Sequence, residues 1–352
     1  MSNARATHFS RRGMLAAGGA LGLGAVLAAC GDDDAKSSGS DADASKAVAT
    51  PAAGPWTFKD DRGTTVKADK VPSSIVAFIG VAAALHDYGV EVKGVFGPTT
   101  TKDGKADVQA GDLDVTKVTV LGNEWGQFNI EKYAALAPDL LATTMFDAST
   151  LWYVPEESKE KILGVGAPTV GISVVDIQLD KPLQRMLELA KSLGADTTSA
   201  KVTAAKKAFE DASARLRAAA KANPDIKVLA GSASQDIFYV SGSNLSIDLE
   251  YFKALGVNFV EPSADVLKAS GGWYESLSWE NVDKYKADII MMDSRTAAIQ
   301  PADITEATWK QLPAVKADQV IARNAEPILS YEKCTPLVTS LAEAIENAKK
   351  VS

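Results

Sequence analysis

The chain has 352 residues, 46% of them apolar, and 37 Lys and Arg against 45 Asp and Glu give it a formal charge of −8. That acidity argues against nucleic acid or another polyanion as the main partner. With only two cysteines and two histidines, His8 and His86, neither a disulfide framework nor a His-built site for a bare metal ion is expected.

The first residues read as an address. Ser10-Arg11-Arg12-Gly13-Met14-Leu15 resembles a twin-arginine export signal, and the apolar run from Met14 to Ala29 is short for a spanning helix. It ends in Leu27-Ala28-Ala29-Cys30, which resembles a bacterial lipobox. Residues 1–29 are therefore expected to be a removed signal peptide, and Cys30 a lipidated N-terminus. An uncleaved membrane helix is the other reading. Residues 30–55 are rich in Asp, Ser, Ala and Gly, too polar to offset the entropy of ordering, and read as a flexible tether. A multiply acylated cysteine would hold the mature chain at the outer face of the cell membrane. The segment before Cys30 holds three Arg and no acid, so the rest carries 34 basic and 45 acidic residues, −11. His86 is then the sole mature imidazole, and Cys334 has no partner within the chain.

From Trp56 onward, alternation about Asp60-Asp61-Arg62-Gly63 predicts a small β-hairpin. Ile75–Gly80 and Val92–Phe96 read as buried strands flanking a short helix over Ala82–Tyr88, closed by Gly89. On that helix His86 falls at an inward position, as a core histidine. Thr99–Asp114 reads as a loop. Val118–Leu121, Asp139–Phe146 and Pro168–Val174 read as strands, and Glu156–Gly164 as helical. Such alternation implies a parallel sheet covered by helices.

Asp180–Leu193 is an amphipathic helix. From about Thr198 to Asn223, Val202, Ala205, Phe209, Ala212, Leu216 and Ala219 recur at steps of three and four. Pro224 stops this helix, whose roughly 25 residues span about 38 Å. Its place midway along the chain suggests a strut. Strands come next at Lys227–Gly231, Ile237–Val240, Val257–Val260, Asp288–Asp293 and Gln319–Ala322, with helices over Leu249–Leu255 and from about Pro336 to Lys349. The expected fold is α/β: two Rossmann-like lobes, residues 56–178 and 224–352, with 179–223 holding the connecting helices and the one long helix.

One unit occurs twice. Phe128–Thr143 (FNIEKYAALAPDLLAT) and Leu277–Met292 (LSWENVDKYKADIIMM) align without a gap, matching Asn129 to Ser278, Glu131 to Glu280 and Asp139 to Asp288. Each reads as a cap, an acidic first turn, a short helix, then Asp and an apolar strand. A helix dipole explains each glutamate singly. It does not explain the repetition.

The lipobox, these two units, the strut and WKQLPAVKADQV together resemble the iron-siderophore and cobalamin binding lipoproteins of ABC importers, over about residues 56–349. The resemblance implies a monomer that holds its ligand between two lobes and closes modestly about the strut. It implies docking on the permease's transmembrane subunits through Glu131 and Glu280. A ferric siderophore is the expected ligand, its iron held by the chelator and not by the protein, which needs no cofactor of its own.

Ligands of open α/β sheets meet loops at the carboxyl ends of strands. Aromatics in polar, Gly-flanked loops suit a bulky amphipathic ligand: here Trp125, Phe128, Trp152, Tyr153, Tyr239, Trp273 and Tyr274. Arg295 is the one clear cleft cation, able to donate to carboxylate or hydroxamate oxygens. A triply anionic catecholate would want more such cations, so a neutral or cationic ferric hydroxamate fits better. Cobalamin and haem are the alternatives within the fold. A cell-envelope enzyme is the alternative outside it, but G-x-S-x-G, H-E-x-x-H and the phosphate-binding G-x-x-x-x-G-K-[ST] are all missing.

Overall fold

A computed structural model describes residues 54–148 and 150–352. The lipobox and its Cys30 lie outside the described residues. The hairpin forms as β1 (Trp56–Lys59) and β2 (Thr65–Ala68). Five strands then build an all-parallel sheet: β3 (Ile75–Phe78), β4 (Gly94–Phe96), β5 (Thr119–Val120), β6 (Leu140–Met145) and β7 (Thr169–Ser173), in the order β5-β4-β3-β6-β7. Every residue of β3 and β6 is buried, as expected of strands covered on both faces. The covering helices include α1 (Ile79–Asp87), α2 (Ile130–Ala135) and α3 (Lys159–Leu163).

Helix α1 corrects one expectation. Apolar residues cover nearly its whole surface, so its periodicity names no inward face, and His86 is its solvent-exposed residue. The neighbouring Asp87 is the buried one, accepting from the Ser330 hydroxyl.

Two helices follow, α4 (Asp180–Ser192) and α5 (Ala200–Ala222). The 23 residues of α5 span about 35 Å at 1.5 Å each. Ser199 caps it by accepting from Val202 N at 3.4 Å. Its buried stripe holds Val202, Phe209, Ala212, Leu216 and Ala219, while Ala205 is half-buried.

The second sheet comprises β8 (Lys227–Ala233), β9 (Ile237–Ser241), β10 (Asn258–Phe259), β11 (Tyr274–Ser278), β12 (Ile289–Asp293) and β13 (Val320–Arg323). Its path is β11-β9-β8-β12-β13, with β10 also on β8. Strand β9 runs antiparallel to both β8 and β11, so this sheet is mixed. Strand β11 escapes the sequence pattern because it is an edge strand with only Leu277 buried. Helices α6 (Ile247–Ala254), α7 (Ala264–Leu267), α8 (Ala307–Gln311) and α9 (Pro313–Lys316) intervene.

The closing helix α10 (Tyr331–Asn347) starts five residues earlier than expected. Ser330 caps it by accepting from Lys333 N at 3.2 Å, and Pro336 is carried inside. Proline removes one backbone bond. The buried face of Tyr331, Cys334, Val338, Leu341 and Ile345, packed along α5, compensates. The strut is thus paired along its length, not solitary. The second repeated unit also departs from expectation: after Ser278 only a single 3₁₀ turn forms, Trp279–Asn281.

Candidate functional site

A cavity of about 590 Å³ lies between the two sheets, a volume suited to a small-molecule ligand. Much of its wall comes from carboxyl ends of strands. Phe146 and Asp147 follow β6, Tyr239 and Ser241 lie on β9, and Asp293 and Arg323 end β12 and β13. Trp152 completes the first wall, and Trp273 and Tyr274 the second.

The first wall is a stack of rings. Trp152 lies 4.4 Å from Phe146 and 4.8 Å from Trp125, centroid to centroid. Trp125 is 61% exposed and covers the outer edge. Tyr153 sits behind, stacked on Phe78 at 5.3 Å, with a left-handed φ of 59°. Such backbone is uncommon away from glycine and signals a constrained turn. Burial, reinforced by Glu326, pushes its phenol up to about 12. On the second wall Tyr239 meets Tyr274 edge-on at 5.0 Å. Gly272, at φ 101°, makes the turn that presents Trp273; an added Cβ there would fall 2.9 Å from Leu245. Phe146 and Trp273 approach to 5.8 Å and join the two walls.

Of the eight residues expected to meet ligand, Trp152, Tyr239, Trp273, Tyr274 and Arg295 line this cavity, and Trp125 and Tyr153 buttress it. Phe128 lies elsewhere, packed on Phe96 and Tyr133 at 5.2 and 5.3 Å. Its place before a helix start is loop-like, but the half-buried ring packs against the core.

The cavity's cations are already engaged. Arg323 is buried and forks onto buried Asp248, Nε to Oδ2 at 2.7 Å and Nη2 to Oδ1 at 2.8 Å. Breaking one side of such a pair costs about 3–5 kcal/mol. Arg295 donates to Asp293 through Nε and Nη2, the latter at 2.7 Å, and to Glu326 through Nη1. Burial opposes the charge on Arg295, yet these carboxylates outweigh it and raise its pKa.

Glu326 carries no signal in the sequence. It lies just after β13, and its Oε2 accepts from Gln109 Nε2 at 3.0 Å and Trp152 Nε1 at 3.1 Å. Its Oε1 accepts from Arg295. One carboxylate thereby ties the first half of the chain to the second. The Thr296 hydroxyl donates to Asp107 in a second such tie. Asp107 and Gln109 belong to the segment Thr99–Asp114, where a polar loop with no period offers no signal either.

The two repeated glutamates are exposed. Glu131 lies in the first turn of α2, which Asn129 caps by accepting from Lys132 N at 2.8 Å. Glu280 lies in the turn after β11, and the Ser278 hydroxyl holds its carboxyl below the usual range. Strand β11 runs with β8, because each is antiparallel to β9. Both glutamates thus lie beyond the carboxyl ends of strands, as do Phe146 and Asp147 of the cavity wall.

A family of proteins described as periplasmic binding proteins matches residues 77–327. The chain belongs to that family. Its members are binding proteins, not enzymes, and act outside the cytoplasm. Among solved structures, this periplasmic binding protein is similar to DesE, a ferric-siderophore receptor protein from Streptomyces coelicolor. The two share 76% identity over 84% of this chain and 100% of that one, with a TM-score of 0.83. Likeness of fold alone extends to BauB, solved with two acinetobactin molecules and ferric iron (18% identity, 83% and 98% covered, TM-score 0.61). It extends also to Staphylococcus aureus SirA, solved with staphyloferrin B (21% identity, 84% and 99% covered, TM-score 0.58). No curated protein matches the chain. No helix among the described residues is long and apolar enough to cross a membrane.

Proposed function

We propose that this periplasmic binding protein captures a ferric siderophore of the hydroxamate class in the inter-sheet cavity and delivers it to an ABC permease. One observation carries the choice of class: the cavity is walled by aromatic rings, and both of its arginines are already paired with carboxylates. A triply anionic chelate would need cations to spare, whereas a neutral or cationic one needs apolar surface and a few donors. The likeness to DesE, a ferric-siderophore receptor, supports an iron chelate as cargo. His86, the sole imidazole after signal removal, is not among the residues that line the cavity.

In this reading residues 56–178 and 224–352 are the lobes and 179–223 connects them. The protein works as a monomer, tethered through residues 30–55 by lipid on Cys30. Glu131 and Glu280 meet the permease.

Tryptophan quenching tests the cargo, since Trp152 and Trp273 line the cavity. Purified protein would be titrated with ferric hydroxamates, ferric catecholates, haem and cobalamin, with metal-free chelators as controls. Saturable quenching in the submicromolar range is expected from a ferric hydroxamate. Saturation by haem or cobalamin alone would keep the architecture and overturn the cargo.

A further inference from the structure

The network around Arg295 has a consequence for selectivity. A guanidinium carries five N–H donors. Asp293 takes Nε–H and one Nη2–H of Arg295, and Glu326 takes one Nη1–H. Two donors remain for a ligand, but the charge is more than cancelled by two carboxylates. Arg323 is cancelled by Asp248. Among the described residues no lysine lines the cavity. Arg295 is therefore presented as a hydrogen-bond donor without attraction for anions.

We infer that Glu326 is a specificity-determining residue: with Asp293 it turns Arg295 into a charge-masked donor, so the cavity admits neutral and cationic iron chelates and rejects multiply anionic ones. Glu326 suits the role by placement as well as charge. Three donors from both halves of the chain hold its carboxylate at the cavity wall, so the negative charge cannot swing away when ligand arrives. A pre-paired charge of this kind contributes discrimination more than affinity, because its main effect is repulsion of the wrong partner.

This inference rests on the hydroxamate reading, and the test separates the two. Dissociation constants would be measured for a cationic ferric trihydroxamate, a neutral one and a trianionic ferric tricatecholate. The proteins are the wild type, Glu326→Gln, and Glu91→Gln as a one-charge control. Glu91 is exposed and lies at the opposite, amino end of β4. The cationic and trianionic chelates differ by four charges. Glu326→Gln is expected to shift their affinity ratio toward the anion by at least about tenfold, or about 1.4 kcal/mol, while Glu91→Gln leaves it near the wild-type value. The unaltered protein provides a second measurement. Raising salt from about 0.1 M to about 1 M shortens the Debye length from roughly 10 to 3 Å, and its discrimination against the anion should shrink. A ratio unmoved by both the substitution and salt would assign selectivity to shape and overturn the inference, as would wild-type protein that prefers the trianion. Absence of saturable binding by every trihydroxamate would instead overturn the proposed function.

Discussion

Asp288 shows how one side chain can be repeated for a structural reason. Its carboxylate accepts from Lys227 N at 2.8 Å and from Val351 and Ser352 N at 2.7 Å each, pinning the starts of β8 and β12 to the chain's last residues. Asp139, its counterpart, accepts from Ser73 and Ser74 N before β3. Burial pushes the Asp288 carboxyl up, but the backbone donors prevail and hold it at about 2, below the ordinary 3.8. The native protein then binds this proton more weakly than the unfolded chain does. The stabilisation is complete above about pH 4 and lost as pH falls toward 2. Replacing Asp288 by Asn should cost about 1–3 kcal/mol at neutral pH. In denaturant titrations the gap between wild type and Asp288→Asn should narrow as pH falls through that window. A gap independent of pH would mean that the charge is not what matters. Asp288 is legible in the sequence as part of a repeat, although its partners are not. The same divide runs through the site. Trp152, Trp273 and Arg295 stand out as aromatics or a cation in polar loops. Glu326 does not, because its meaning depends on Gln109, 217 residues away, and no local pattern encodes such a meeting.

At the scale of elements, buried parallel strands and the α5 stripe are readable because burial imposes a period or an unbroken apolar run. Edge strand β11 and the first turns of α10 are not, since one has a single buried side chain and the other contains a proline. The repeated unit shows both sides of this. Both copies carry a capping residue and a glutamate two positions on. Only Asn129 makes a cap bond, and only α2 grows into a helix. In the second copy Trp279 is instead buried, its Nε1 donating to Gln235 O at 3.0 Å, and that anchor holds the turn where a helix would begin. Asn129→Ala is therefore expected to destabilise by about 1 kcal/mol. Ser278→Ala should cost less, roughly within 0.5 kcal/mol, as for surface changes. Unfolding midpoints of the two variants would decide; equal losses would imply that Ser278 supports its turn as strongly as Asn129 caps α2.

Across the whole molecule, the two sheets are joined by more than a strut. One apolar core runs from Ile75 in β3 through Leu216 in α5 to Val228 in β8 and Leu341 in α10. Glu326 and the Asp107–Thr296 tie add polar links across the cavity. In the proposed reading such a body would close only modestly about its ligand, because packed interfaces resist continuous deformation. Glu131 and Glu280, one on each half, thus present two acidic points whose spacing is set by this shared core. The proposed permease would read them as a pair of charge contacts at an interface rim. Removing such charges weakens association without touching a distant pocket. Glu131→Ala combined with Glu280→Ala should leave the dissociation constant for ligand within about twofold of wild type and abolish uptake of the ferric chelate by cells. Each single change should give intermediate uptake, since half of the contact survives. Uptake equal to wild type in the double variant would remove both glutamates from docking, leaving helix-dipole complementarity as the reason for Glu131 and the Ser278 hydrogen bond as the setting of Glu280.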